Sequence, residues 1–296
     1  MTEKYINLFT DFGFKKLFGE ENSKEFLISF LNTLLPPQHH ITTLSYTKNE
    51  QLGATQADRK AIFDLHCQNS KGEYFIVELQ KAKQNYFKER SIYYATFPIQ
   101  QQAEKGDWDF KLEAVYTIGI LDFEFDEDKH EPEKQVVHRI QLKDQNNKVF
   151  YDKCSFIYLT LPQFTKTADE LETDQDKWFY LFKNLHKLDD IPSKLKEAIF
   201  VNFFEKAQIA RFTPLEREAY EDSLKYYRDL KNSIDTAKDE GKAEGIAEGR
   251  QEEKLAIAHN MLTKGLENEL ITQMTGLSIN QIAQLQSDRH SFNLDD

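Results

Sequence analysis

The sequence predicts an α/β protein, a mixed central sheet flanked by helices and followed by an all-helical C-terminal region. Three observations carry this. The first part of the chain runs helix, three strands, helix, strand, an order that packs helices onto a sheet with parallel neighbours. The pattern from Asp174 to Leu230 is then helical. Finally, 296 residues with 40% apolar side chains, 23 Phe and 13 Tyr bury a sizeable core plus an appendage, which excludes a disordered chain.

In chain order, Phe26, Leu27, Phe30, Leu31 and Leu34 recur at helical spacing within Glu21 to Leu35, behind a Ser23 or Asn22 cap and before Pro36-Pro37. Ile41 to Thr47 reads as a strand and Lys48 to Gln56 as a polar loop. Lys60 to Gln68 and Tyr74 to Lys81 form a hairpin around Asn69-Ser70-Lys71-Gly72-Glu73. Asn85 to Glu104 is a helix carrying Tyr86, Phe87, Arg90, Tyr93, Tyr94 and Phe97, kinked or interrupted at Pro98. Ala114 to Leu121 is apolar on both faces and suits a strand buried between layers.

Asp122 to Glu133 holds seven acids and one Lys and reads as a solvated loop. Gln135 to Leu142 and Val149 to Leu161 are further strands, and Pro192 and Pro214 mark helix starts. In Lys238 to Arg250, Gly241, Gly245 and Gly249 are spaced four apart. Each weakens a helix by about 1 kcal/mol relative to Ala, so the repeat is a weak charged linker helix or a close-packed seam, and the lack of the apolar membrane context in which small-residue spacing has its usual meaning favours the linker. The expected organisation is a domain over 1–232 (core 1–125, helical completion 170–232), a linker over 233–251 and a small helical element over 252–296.

The formal charge is −12, which on its face argues against nucleic acid. Residues 1–100, however, carry 12 basic and 11 acidic side chains, so the acidity lies downstream. No stretch reaches the roughly 20 apolar residues that span a bilayer, the start is not of signal-peptide type, and Cys67 and Cys154 have no metal-ligand spacing. A cytoplasmic protein without a membrane partner is expected.

The hairpin carries the chemistry. With Gln68 paired to Tyr74, Asp64 stands opposite Glu78, and Ile62, Asp64 and His66 share one face as do Ile76, Glu78 and Gln80. Opposed carboxylates on otherwise apolar strands need a cation or a shared proton, and an oxygen-ligated Mg²⁺ or Mn²⁺ satisfies both. On spacing alone, a solvated acidic face explains the pair equally well. His66 reads as a packed or surface side chain rather than a ligand.

Several motifs then converge: Thr-Asp-Phe-Gly-Phe-Lys-Lys-Leu-Phe-Gly (10–19), Phe-Leu-Asn-Thr-Leu-Leu (30–35), Asp-Arg-Lys-Ala-Ile-Phe-Asp (58–64), Val-Glu-Leu-Gln (77–80) and Glu-Arg-Ser-Ile-Tyr-Tyr (89–94). Together they resemble the Rpn family of recombination-promoting nucleases, also called PD-(D/E)XK nuclease family transposases, over about residues 1–230. The resemblance implies a restriction-endonuclease-like core and a metal-dependent DNA endonuclease linked to recombination or mobile elements. Asp64 and Glu78 would be metal ligands, with Mg²⁺, Mn²⁺ or another divalent ion as cofactor.

The resemblance further implies that Gln80 takes the position usually held by a catalytic Lys and would orient the attacking water, so that part of the charge stabilisation would pass to the metal or to a nearby cation, with Lys81, Lys83 and Arg90 as candidates. Asp11 is either a further metal ligand or a helix N-cap. The stretch Lys81 to Arg90 has a net charge of +3 and would contact phosphates through Lys81, Lys83 and Arg90, while Tyr86, Phe87 and Tyr94 are expected mainly in the core. The alternative is a DNA-binding or scaffold protein with the same fold and a lapsed site.

Near the C-terminus, Ile271, Gly276, Leu277 and Ile282 place a turn between two short amphipathic helices, as in a helix-turn-helix. The second helix, Ser278 to Gln286, has Asn280, Gln281 and Gln284 but no Lys or Arg, which favours a packing or dimerisation element and hence a homo-oligomer.

Overall fold

The computed structural model describes residues 3–48, 50–51, 61–103 and 109–292. Most of the expected Lys48 to Gln56 loop, the Asp58-Arg59-Lys60 part of the hairpin motif, Glu104 and the last four residues lie outside the described residues. The chain divides into two units, Met1–Lys231 and Asn232–Asp296.

In the first unit, α1 (Asp11–Phe18) starts behind Thr10, whose Oγ1 accepts from the Gly13 N–H at 3.0 Å and donates to the Asn7 carbonyl at 2.6 Å. A Cβ at Gly13 would sit 2.4 Å from that carbonyl oxygen, so this turn needs the glycine of the Thr-Asp-Phe-Gly motif. The helix expected over Glu21 to Leu35 is a 3-10 turn followed by α2 (Lys24–Asn32), which buries Phe26, Leu27, Phe30 and Leu31.

The strands are β1 (Leu44–Tyr46), β2 (Glu50–Gln51), β3 (Ala61–Ile62), β4 (Leu65–Asn69), β5 (Tyr74–Gln80), β6 (Val115–Leu121), β7 (Val137–Lys143) and β8 (Val149–Thr160). Six of them form one mixed sheet in the order β1-β4-β5-β6-β8-β7. β6 runs parallel to both β5 and β8, and the remaining pairs are antiparallel. β6 is buried along its whole length, as its two-faced apolar pattern predicts.

One face of the sheet packs on α1, α2, α4 (Asp174–Asn184), α5 (Ala198–Lys206) and the start of α6 (Pro214–Thr263) through Phe18, Phe30, Trp178, Phe182 and Phe203. The other face carries Val115, Leu121, Phe156 and Tyr158 beneath α3 (Phe87–Gln101). Pro214 opens α6 behind a reciprocal Thr213–Glu216 cap, whereas Pro192 precedes only a 3-10 turn, and α5 begins at Ala198.

Three expectations change. The strand over Lys60 to Gln68 is divided into β3 and β4, because the Asp64 carboxylate, in place of a ladder carbonyl, accepts the Leu79 N–H at 2.7 Å. α3 runs through Pro98 without interruption, forgoing the hydrogen bond that Pro cannot donate. The acidic segment is not merely solvated: Phe125 is buried against Phe87 and Tyr158, and Glu127–His130 forms a 3-10 turn.

In the second unit α6 continues across the glycine repeat, and a Cβ on Gly241, Gly245 or Gly249 would meet nothing within 4 Å, so among the described residues no close-packed seam exists there. α7 (Asn268–Thr275) and α8 (Ile279–Phe292) close a small core of Ala258, Leu262, Ile271, Leu277 and Ile282. Among the described residues no helix is long and apolar enough to cross a membrane.

Candidate active site

The parallel strands β5, β6 and β8 end together at Gln80, Leu121 and Thr160, the edge where open α/β sheets present ligand sites. At this edge the hairpin brings the predicted carboxylates together. The pairing Leu65 with Val77 and Gln68 with Tyr74 is the expected register, and it sets Asp64 across from Glu78 at the bend between β3 and β4.

The Asp64 N–H donates to Glu78 Oε1 at 3.3 Å, while the Asp64 carboxylate holds the Leu79 N–H. Glu78 is only 8% exposed. Burial, and then the charge of Asp64, push its carboxyl up to about 8. Burial also raises Asp64, against the Leu79 hydrogen bond. Two desolvated carboxylates that share a site and resist ionising together form an oxygen donor set suited to a divalent cation.

Gln80 lies next to Glu78 on the same strand face. Its Nε2 donates to Glu78 Oε2 at 3.4 Å, and its Oε1 accepts from Arg90 Nη2 at 2.8 Å. α3 delivers Arg90 because Phe87 and Tyr158 close over Gly119, the partner of Glu78 on β6, where a Cβ would meet Tyr158 at 2.9 Å and Phe87 at 3.3 Å. Lys81, which directly follows β5, is half-buried, and burial lowers its pKa against the fields of Asp11 and Asp64.

The other predicted residues stand farther out. Asp11 is not the N-cap, which is Thr10; it is the first residue of α1, paired with Lys15 at 3.1 Å. Its charge reaches Asp64, but among the described residues no three His, Cys, Asp or Glu side chains gather as a metal-binding group. Lys83 pairs with Asp126, and Lys88 with Glu127 at 2.9 Å. Phe87 is buried as expected, whereas Tyr86 is 76% exposed and holds a left-handed backbone at the start of α3. His66 is fully buried, packed on Phe63 and Tyr74.

Asp122, which the sequence groups with the solvated acids, was missed. Its backbone N–H donates to the Gln80 carbonyl at 2.9 Å and its Oδ2 accepts from Tyr227 at 3.0 Å. Its position directly after a buried strand was the available signal.

The family model of the PD-(D/E)XK nuclease family transposase matches residues 8–237, and that of the C-terminal HTH domain of the Rpn/YhgA-like nuclease family matches residues 251–287. The second match is to the helix-turn-helix type that the absence of cations on the last helix had disfavoured. No curated protein and no solved structure matches the chain. With most of its length matched, and with the mixed sheet and its paired carboxylates in place, the chain belongs to the PD-(D/E)XK nuclease family transposases.

Proposed function

We propose that the protein is a metal-dependent DNA endonuclease that hydrolyses phosphodiester bonds in recombination or in the movement of mobile elements. The observation that carries this reading is the buried Asp64–Glu78 pair at the carboxyl edge of the parallel strands. Mg²⁺ retains several waters and takes one or two carboxylates plus substrate oxygens, so this donor set fits Mg²⁺ or Mn²⁺. Bound there, the ion supplies Lewis-acid stabilisation of the charge that develops on the phosphate.

The chain's own residues do the rest. Asp64 and Glu78 hold the ion, Gln80 orients the attacking water through its amide, and Asp11 adds a second-site or outer field. Lys81, Lys83 and Arg90 meet DNA phosphates, and the exposed Tyr86 offers a stacking face beside them. Residues 1–232 act as the nuclease domain, 233–251 as a charged linker, and 252–296 as a helix-turn-helix-like element that contacts DNA and brings two copies together. Light scattering on the full chain tests the last point, with a monomer as the contrary result.

Plasmid nicking in Mg²⁺ and Mn²⁺ tests the activity. Wild type is expected to cleave, and Asp64→Ala or Glu78→Ala to lower the rate by about 10²-fold or more. Cleavage that survives both substitutions, or that fails in both ions while DNA binding persists, favours a DNA-binding protein with a lapsed site.

A further inference from the structure

Arg90 belongs to α3, not to the hairpin, yet it reaches the carboxylate pair through Gln80. Its Nη2 donates to Gln80 Oε1 at 2.8 Å, its Nη1 donates to Gln84 Oε1, and the rings of Phe87 and Tyr94 each lie 5.9 Å from the guanidinium carbon. Both hydrogen-bond partners are neutral amides. Lys83 and Lys88, in the same basic stretch, are instead paired with Asp126 and Glu127. Among the described residues no carboxylate lies within ion-pair distance of Arg90, so its charge stays available at the site.

The geometry also fixes a choice that Gln80 alone leaves open. An amide has a donor end and an acceptor end, and a guanidinium has only donors. Arg90 therefore claims the amide oxygen, which turns Nε2 toward Glu78 Oε2 at 3.4 Å. The flipped amide would set its oxygen against the carboxylate and its nitrogen against the guanidinium, two repulsive contacts. A lysine could replace the charge but not the planar fork that holds Gln80 and Gln84 at once.

We propose that Arg90 is the positioning residue of this site: it locks the Gln80 amide against Glu78 and supplies, from α3, the positive charge that a Gln at this strand position lacks. The inference rests on the nuclease reading above. It makes a prediction of opposite signs. A cation beside the ligands repels a metal ion, so removing it tightens metal binding while slowing the reaction whose developing negative charge it stabilises. A merely structural role would weaken both.

The experiment measures cleavage kinetics and, separately, Mn²⁺ affinity by titration of the full-length protein, in wild type, Asp64→Asn, Arg90→Met and Arg90→Lys. Arg90→Met is expected to lower kcat about 10- to 100-fold, to raise KM by a smaller factor through the lost phosphate contact, and to tighten Mn²⁺ binding about 2- to 10-fold. Arg90→Lys is expected to restore wild-type Mn²⁺ affinity but only part of kcat. Unchanged or weakened Mn²⁺ binding in a folded Arg90→Met protein, or a loss confined to KM, would overturn the role of Arg90 alone. If wild type shows no Mn²⁺ binding that Asp64→Asn removes, the nuclease reading falls, and this role with it.

Discussion

Glu78 shows how one side chain can be costly to the fold and useful to the site. An unfolded Glu releases its proton near 4.5, whereas burial and the neighbouring Asp64 hold the folded carboxyl up to about 8. Between those values the native state binds more protons than the unfolded state, so the metal-free protein loses stability as pH rises through the window. Melting curves without metal are expected to show Tm falling between about pH 5 and pH 8. Glu78→Gln should flatten that slope and raise Tm near the upper end by about 4 °C or more. A divalent ion should raise the wild-type Tm most where Glu78 is charged, and should do little for Glu78→Gln. A wild-type profile as flat as that of the variant would count against the buried pair. The placement of Asp64 opposite Glu78, with Gln80 on the same face, was legible in the sequence because strand alternation and one turn length fix the register, while their roles came from the family resemblance alone. The hydrogen bond from Arg90 was not legible, because α3 reaches Gln80 across the sheet, and local periodicity does not encode how far a helix settles onto a strand.

Two kinds of glycine separate the elements that shape the site from those that only extend the chain. Gly119 lies in the middle of β6 beneath α3, where an added Cβ would stand 2.9 Å from Tyr158 and 3.3 Å from Phe87. Gly119→Ala is therefore expected to destabilise the fold by about 1–3 kcal/mol in denaturant titrations. It should also slow cleavage beyond the loss of folded protein, because lifting Phe87 lifts Arg90 with it. Gly245 on α6 has open space around it, and Gly245→Ala is expected to strengthen the helix by about 1 kcal/mol, read as slower amide exchange through residues 241–249. No effect at Gly119 would mean that α3 is free to settle elsewhere. The difference between the two glycines is invisible in sequence, where Gly119 is one small residue in an apolar run and the period-four repeat draws the eye. The mixed sheet with flanking helices was readable from the alternation of elements, but the break at Asp64 and the continuity through Pro98 were not. The first depends on a long-range partner, the Leu79 N–H that the Asp64 carboxylate takes, and the second on a helix that forgoes one local backbone hydrogen bond at Pro98.

At the scale of the whole molecule the charge of −12 opposes DNA, and its arrangement decides how strongly. The basic stretch beside the carboxylates has a net charge of +3, but Lys83 and Lys88 are engaged by Asp126 and Glu127 from the segment after β6. Phe125 anchors that segment on Phe87, so the acids are held in place rather than waving in solvent. The sequence located the acidic block but not its partner, although the Phe123 and Phe125 that interrupt it marked a buried face. Two phosphates arriving on these lysines would have to displace two carboxylates, as one set of anions replaces another. Each pair is exposed and contributes little to stability, so neutralising the acids should leave Tm nearly unchanged. Binding is a different matter. In a cleavage-deficient Asp64→Ala background, Asp126→Asn with Glu127→Gln is expected to tighten duplex binding, measured by fluorescence anisotropy. Because each phosphate contact contributes about 0.9 to the slope of log affinity against log salt, the slope should steepen by up to about 2. An unchanged slope would show that Lys83 and Lys88 do not meet the DNA, leaving Lys81 and Arg90 as the contacts of the basic stretch.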